Sequence, residues 1–169
     1  MLPNPPDGLR HWRPGDAPAL EAAWGDPVIN RWNPPQPGLD ATTWIAGLED
    51  RWARRLALDL VIRPPDEGAD RFVAVAGEVG LSGFTTDPAR AELGVWVAAP
   101  RRRSGVASTA VHTMSEWALA PDGIALDQLW ARTDPANGAS EALFERLGWD
   151  RLGTSGGMTI WSATRVLLR

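Results

Sequence analysis

The chain has 169 residues, no cysteine and two histidines, and it carries 17 basic against 21 acidic residues for a net charge of −4. That length suits one domain, 1–169, burying roughly 70% of the surface its unfolded chain exposes. The composition excludes disulfide and thiolate chemistry, leaves too few histidines for a usual zinc centre, and does not suit a general nucleic-acid binder, which needs a basic face.

The opening MLPNPPDG has neither a basic region nor an apolar run, and no stretch approaches 18 consecutive apolar residues. Neither a signal peptide nor a membrane span is expected, and the predicted location is cytoplasmic. Residues 9–13 (LRHWR) read as a first strand, ended by Pro14-Gly15, with Asp16 as a possible cap for a helix over 17–24. Residues 25–38 carry four prolines and predict an irregular loop. Asp40 then caps a second helix whose apolar face is Trp44, Ile45, Leu48, Trp52 and Leu56.

Leu58, Leu60 and Ile62 alternate as in a strand, which the run Pro64-Pro65-Asp66-Glu67-Gly68 ends. Residues 72–76 and 78–84 look like two strands turning at Gly77, or one bulged pair. The next strand spans 92–98, with Leu93, Val95 and Val97 in phase. Three arginines, Arg101, Arg102 and Arg103, then precede Ser104 and Gly105, after which Val106, Ala110, Val111, Met114, Trp117 and Ala118 mark one face of a helix. An isolated arginine run is usually a solvated loop. At a helix N-terminus it joins unpaired backbone N–H groups and the positive end of the helix dipole, and this stretch reads as a phosphate site.

A strand over 126–131 follows. Asn137 is a credible N-cap, and Gly148 stands where a helix ends in left-handed geometry. Met158, Ile160 and Ser162 alternate in a closing strand. Strands in the middle with helices before and after them fit a mixed α/β layer fold. Gly153-Thr154-Ser155-Gly156-Gly157 matches G-x-S-x-G, but a strand follows where a nucleophile elbow needs a helix, which argues against a serine hydrolase.

Arg102-Arg103-Ser104-Gly105-Val106-Ala107 fits the pattern Q/R-x-x-G-x-G/A. It follows a strand beginning Glu92-Leu93-Gly94 and precedes Asn137-x-x-Ser140-x-x-x-Phe144-x-x-x-Gly148-Trp149. With these segments, and with the opening LRHWRPGDAPALEAAWGDPVINRW, nearly the whole chain resembles the GNAT acetyltransferase superfamily, nearest its Rim-type, ribosomal-protein-alanine N-acetyltransferase branch. The resemblance implies the acyl-CoA N-acyltransferase fold, a central mixed and mostly antiparallel sheet flanked by helices. It implies acetyl-CoA as cosubstrate without a metal, a primary amine as acceptor, such as a protein N-terminal α-amino group, and a homodimer. Two alternatives are a small-molecule amine acceptor, antibiotic or polyamine, and a non-catalytic acyl-CoA-binding module.

In that frame backbone N–H groups of Arg103, Gly105, Ala107 and Ser108 would cradle pyrophosphate, with Ser104 and Val106 in the same loop, and Arg101 or Arg102 would reach the 3′-phosphate. Val95, Trp96 and Val97 match the strand that parts from its neighbour to admit pantetheine. The Trp96 side chain should point opposite those of Val95 and Val97, toward the cofactor or acceptor cleft. Glu92 is the candidate general base, and Ser140 or a water the proton donor. Asn137 would bind cofactor or simply cap its helix. Phe144 stands where many relatives carry a proton-donating tyrosine, and the chain contains no tyrosine. Trp32 is a candidate wall of the acceptor pocket.

Overall fold

The computed structural model describes residues 1–64, 75–84 and 86–165. Its spine is a seven-stranded sheet in the order β1-β2-β3-β4-β5-β7-β6. The strands are β1 (Leu9–His11), β2 (Ala57–Ile62), β3 (Gly77–Ser82), β4 (Arg90–Val97), β5 (Gln128–Thr133), β6 (Asp150–Ser155) and β7 (Met158–Thr164). Every neighbouring pair is antiparallel except β4 and β5, which run parallel. That parallel pair needs a crossover, supplied by the 14-residue helix α5 (Val106–Leu119).

Period-two alternation sends the sheet's side chains into two cores. On one face Leu58, Leu60, Val79, Leu81 and Leu93 meet Val106, Ala110, Val111 and Met114 of α5, together with Leu143 and Phe144 of α6 (Gly138–Arg146). On the other, Val61 and Trp96 meet Trp12, Leu20, Ile29, Ala41, Ile45 and Leu48. The latter residues come largely from four short helices, α1 (Ala17–Gly25), α2 (Pro27–Trp32), α3 (Ala41–Ala46) and α4 (Leu48–Ala53).

The helix expected after Asp40 is two helices hinged at Gly47, with Asp40 capping the first through Thr43 N–H at 2.9 Å. The proline-rich segment 25–38 holds a helix where only irregular chain was expected. Pro27 occupies its first position, where a missing N–H costs nothing, and Asp26 accepts from Val28 and Ile29 N–H at 2.8 and 3.1 Å. The strand expected at 126–131 begins two residues later. β6, which no apolar pattern predicts, is exposed on both sides, with Leu152 62% accessible, and so shows no apolar alternation. Gly156 and Gly157, at φ +56° and +80°, make the two-residue turn into β7, so the G-x-S-x-G match is a β-hairpin. Residues 72–74 of the strand expected at 72–76, and most of the break at 64–68, lie outside the described residues. Among the described residues no helix is long and apolar enough to cross a membrane.

Candidate active site

β4 is paired with β3 from Glu92 to Val97, and β5 with β7 from Gln128 to Thr133. The two strands pair with each other at only three positions, Arg90↔Gln128, Ala91↔Leu129 and Glu92↔Trp130. Beyond Glu92 they part, and a wedge opens whose walls are strand edges with N–H and C=O groups directed inward. Val95 and Val97 lean on the α5 core, while Trp96, 7% exposed, projects into the core beneath α1–α4.

At the end of β4 the chain makes a tight turn at Ala99–Arg101 and enters α5 through two left-handed residues, Arg103 at φ 61° and Gly105 at φ 82°. Ser104 Oγ donates to Arg101 O at 2.6 Å and tightens the loop. A Cβ at Gly105 would meet nothing within 4 Å, so glycine is required there by backbone sign, not by crowding. The N–H groups of Val106, Ala107 and Ser108 belong to the first turn of α5, which lacks intrahelical acceptors. Arg103, Ser104 and Gly105 are exposed at this corner. Arg102 is turned away from it. Its Nε donates to Val97 O at 3.1 Å, and its Nη2 lies 2.9 Å from Asp26 Oδ1, which holds the Asp26 carboxyl below its ordinary range. Of the two arginines expected at the 3′-phosphate, Arg102 is therefore committed to the α2 cap.

Glu92 sits at the apex of the wedge. Arg132 grips it in a fork, Nε to Oε1 at 2.9 Å and Nη2 to Oε2 at 3.1 Å, and this charge-assisted pair raises the guanidinium's pKa further. The Arg132 guanidinium also lies over the Trp130 ring, 5.4 Å from its centroid.

Past the end of β5, Asn137 caps α6 by accepting from Ser140 N–H at 3.3 Å, which accounts for Asn137 as a cap. Ser140 is half-buried in the first turn. Phe144 is 3% exposed and packed against Trp149 and Trp161, with centroids 4.8 and 6.0 Å away. It is a core side chain. A polar chain that the sequence did not reveal ties α6 to the sheet. Trp161 Nε1 donates to Thr133 Oγ1 at 2.8 Å, and the hydroxyls of Thr133 and Thr159 both donate to Glu141. Trp32 lies at the end of α2, half-buried, under the guanidinium of Arg31 and away from the Trp12, Trp24, Trp44 and Trp96 cluster.

Two further carboxylates lie on the helix-covered face. Glu78 is opposite Trp96 in the β3–β4 register and accepts from its indole N–H at 3.0 Å. Burial first, then the charge of Asp59, pushes Glu78 up to about 8. Burial also raises Asp59 to about 6, against the pull of Arg51, whose Nε is 3.8 Å away. Acidic residues in strands usually read as solvent-facing. The signal that would have exposed these two is parity, since both fall out of phase with Leu58, Leu60 and Val79.

The comparisons with known proteins agree with this architecture. A family model described as an acetyltransferase (GNAT) domain matches residues 8–150. No curated protein matches the chain. Among solved structures, the chain is similar to ribosomal-protein-S5-alanine acetyltransferase from Vibrio fischeri, at 16% identity over 100% of both chains and TM-score 0.76. It is similar to Mycobacterium smegmatis RimJ in complex with CoA-disulfide, at 20% identity over 94% of this chain and 81% of that one, TM-score 0.69. It is also similar to spermidine N-acetyltransferase from Vibrio cholerae in complex with CoA and spermine, at 14% identity over 95% and 96%, TM-score 0.74. At these identities the likeness is one of fold.

Proposed function

Because the chain belongs to the GNAT family of acetyl-CoA-dependent N-acetyltransferases, we propose that its wedge and the loop at the start of α5 together bind acetyl-CoA for direct transfer of acetyl to a primary amine. The observation that carries this reading is the end of the β4–β5 ladder at Glu92, on the same strand that leads into the left-handed loop at the α5 N-terminus. The inward N–H and C=O groups of the wedge suit the amides of a pantetheine arm, and the first-turn N–H groups of α5 suit pyrophosphate. Arg103 and Arg101 supply the cationic side chains of this corner.

In the reaction the amine nitrogen attacks the thioester carbonyl, the C–N bond forms, the C–S bond breaks, and the departing thiolate takes a proton. Glu92 is the residue placed to accept the proton from the ammonium, directly or through water. Each of its oxygens accepts one bond from Arg132, and a carboxylate has about four lone-pair sites, so acceptor capacity is left. Arg132 orients the group. An α-amino acceptor of pKa near 8 needs only about 1.4 kcal/mol to deprotonate at pH 7, against about 4.6 for a lysine. Ser140, or a water beside it, donates to the thiolate. Phe144 has no proton to give, and a thiol of pKa about 8.5 leaves tolerably near neutrality.

The Rim-type resemblance supports a protein N-terminal α-amine as acceptor, and likeness to a spermidine acetyltransferase keeps a small polyamine beside it. Family membership favours an enzyme over a non-catalytic CoA-binding module. The test is Gly105→Trp, which puts a bulky residue at a φ of 82° in the loop. Acetyl-CoA affinity measured by calorimetry should fall at least about tenfold, or about 1.4 kcal/mol. Unchanged affinity in a folded variant would overturn the assignment of the loop.

A further inference from the structure

The sheet face beneath α1–α4 has a floor made of glycine. Asp59, Gly80 and Gly94 stand in one row across β2, β3 and β4. Gly94 is exposed, with open space where a side chain would begin. A Cβ at Gly80 would come within 2.6 Å of Asp59 Oδ1, so the carboxylate leans over Gly80 toward Gly94. In the next row Val61, Glu78 and Trp96 line up.

Among the described residues the guanidinium paired with this corner's carboxyl groups is that of Arg51, 3.8 Å from Asp59. Arg51 gives Nη1 to Trp44 O at 3.0 Å and stacks on the Trp44 ring, but its Nε and Nη2 complete no hydrogen bond to Asp59. Glu78 Oε1 is held by Trp96, while Oε2 is closed off from solvent with no hydrogen-bond partner. Trp12, 5% exposed, lies against Trp96, and its indole N–H is turned to the same Glu78 carboxyl without completing a full hydrogen bond. Arg10, in the same cross-strand row on β1, is taken up by Asp16 at 2.7 and 3.0 Å. Among the described residues two carboxyl groups thus share one guanidinium beside a wall of indole rings, so ionising both leaves one negative charge without a counterion, which a further cation would supply.

We propose that the acceptor carries a second positive charge, which binds to Asp59 and Glu78 across the Gly80–Gly94 floor while its reacting amine lies at Gly94 beside Glu92. The inference rests on the acetyl-transfer reading above. Asp59 is rooted two strand spacings from Gly94 but its carboxylate reaches over Gly80, one spacing away, so the two cationic groups stand about 5 to 10 Å apart. An extended diamine has this chemistry, and so does a peptide N-terminus followed by arginine or lysine. Since burial keeps Glu78 protonated to about pH 8, an arriving cation draws that proton off.

The test compares kcat/KM for hexylamine with that for hexamethylenediamine and spermidine, and for alanyl-alanine amide with alanyl-arginine amide. The members carrying more than one positive charge should be preferred over the monocation of each set at least about tenfold. Asp59→Asn and Glu78→Gln should bring that ratio close to one. Preference for the diamines identifies a polyamine acceptor, and preference for the arginine peptide a protein N-terminus. Equal rates for monocation and dication, or a ratio kept in both variants, would overturn the proposal while leaving acetyl transfer standing. Calorimetry of hexamethylenediamine against the CoA-bound protein reads the subsite without turnover. Weaker binding in Glu78→Gln and proton release in the wild type support it, and undiminished binding in both variants refutes it. Transfer to no amine at all would sink the acetyl-transfer reading instead.

Discussion

At Glu92 the Arg132 fork fixes the carboxylate at the point where β4 leaves β5. Glu92→Gln keeps the shape and one acceptor oxygen but cannot take a proton, so kcat/KM should fall roughly 100-fold to 10,000-fold, the usual range for a lost acid–base group. A Glu92→Gln enzyme with the wild-type acidic limb in its pH–rate profile would remove Glu92 from the mechanism. The place of Glu92 on the strand that leads to the glycine-containing loop was legible in the sequence from the alternation of Leu93, Val95 and Val97. Asp59 and Glu78 were not, since a lone acid in a strand shows its face only when register and covering helices are known. The Arg102 contact was equally hidden. Its partner Asp26 is remote in sequence, and a motif arginine carries no local sign of being diverted.

Among the elements, β3 and β4 leave no room for a side chain at Gly77. A Cβ there would clash with Trp96 O and fall 3.0 Å from Val97 Cα. Gly77→Ala should therefore force the end of β4 outward and cost about 1–3 kcal/mol in urea unfolding, with weaker acetyl-CoA binding as β4 shifts. On the far side of the wedge, Phe144→Ala leaves a cavity between Trp149 and Trp161. It should cost about 3–5 kcal/mol by the same measurement. Strands with a clean alternation, β2 and β4, could be read from sequence, as could α5 and the Asn137 cap. α2 could not, because proline count masked the favourable first position of Pro27. The break at Gly47 was hidden because the apolar spacing runs through it. β6 could not either, because an edge strand exposed on both sides carries no apolar period.

Across the whole molecule the two faces of the sheet behave differently. The α5 face is apolar apart from Ser115 and the hydroxyl chain of Thr133 and Thr159 beside α6, while the α1–α4 face buries Asp59 and Glu78. A carboxyl kept protonated in the fold but ionised in the unfolded chain makes the native state bind more protons, so stability falls as pH rises. The decline begins near the ordinary values of 3.8 and 4.5 and ends at about 6 for Asp59 and about 8 for Glu78. Urea unfolding should show a less stable protein at pH 8 than at pH 5, and Glu78→Gln should reduce that loss. The order of strands and helices was readable because the apolar patterns, glycines and caps agree with one another. The division of labour between the faces was not, since it depends on pairing across strands. The Arg102–Asp26 contact joins those two halves, with one end in the loop after β4 and the other capping α2. Thermodynamic linkage makes such a joint symmetrical. Should an anion at the loop draw Arg102 from Asp26 and loosen α2, an acceptor that moves α2 must change the affinity for that anion by the same factor, and neither substrate's dissociation constant would then be a property of its own pocket alone.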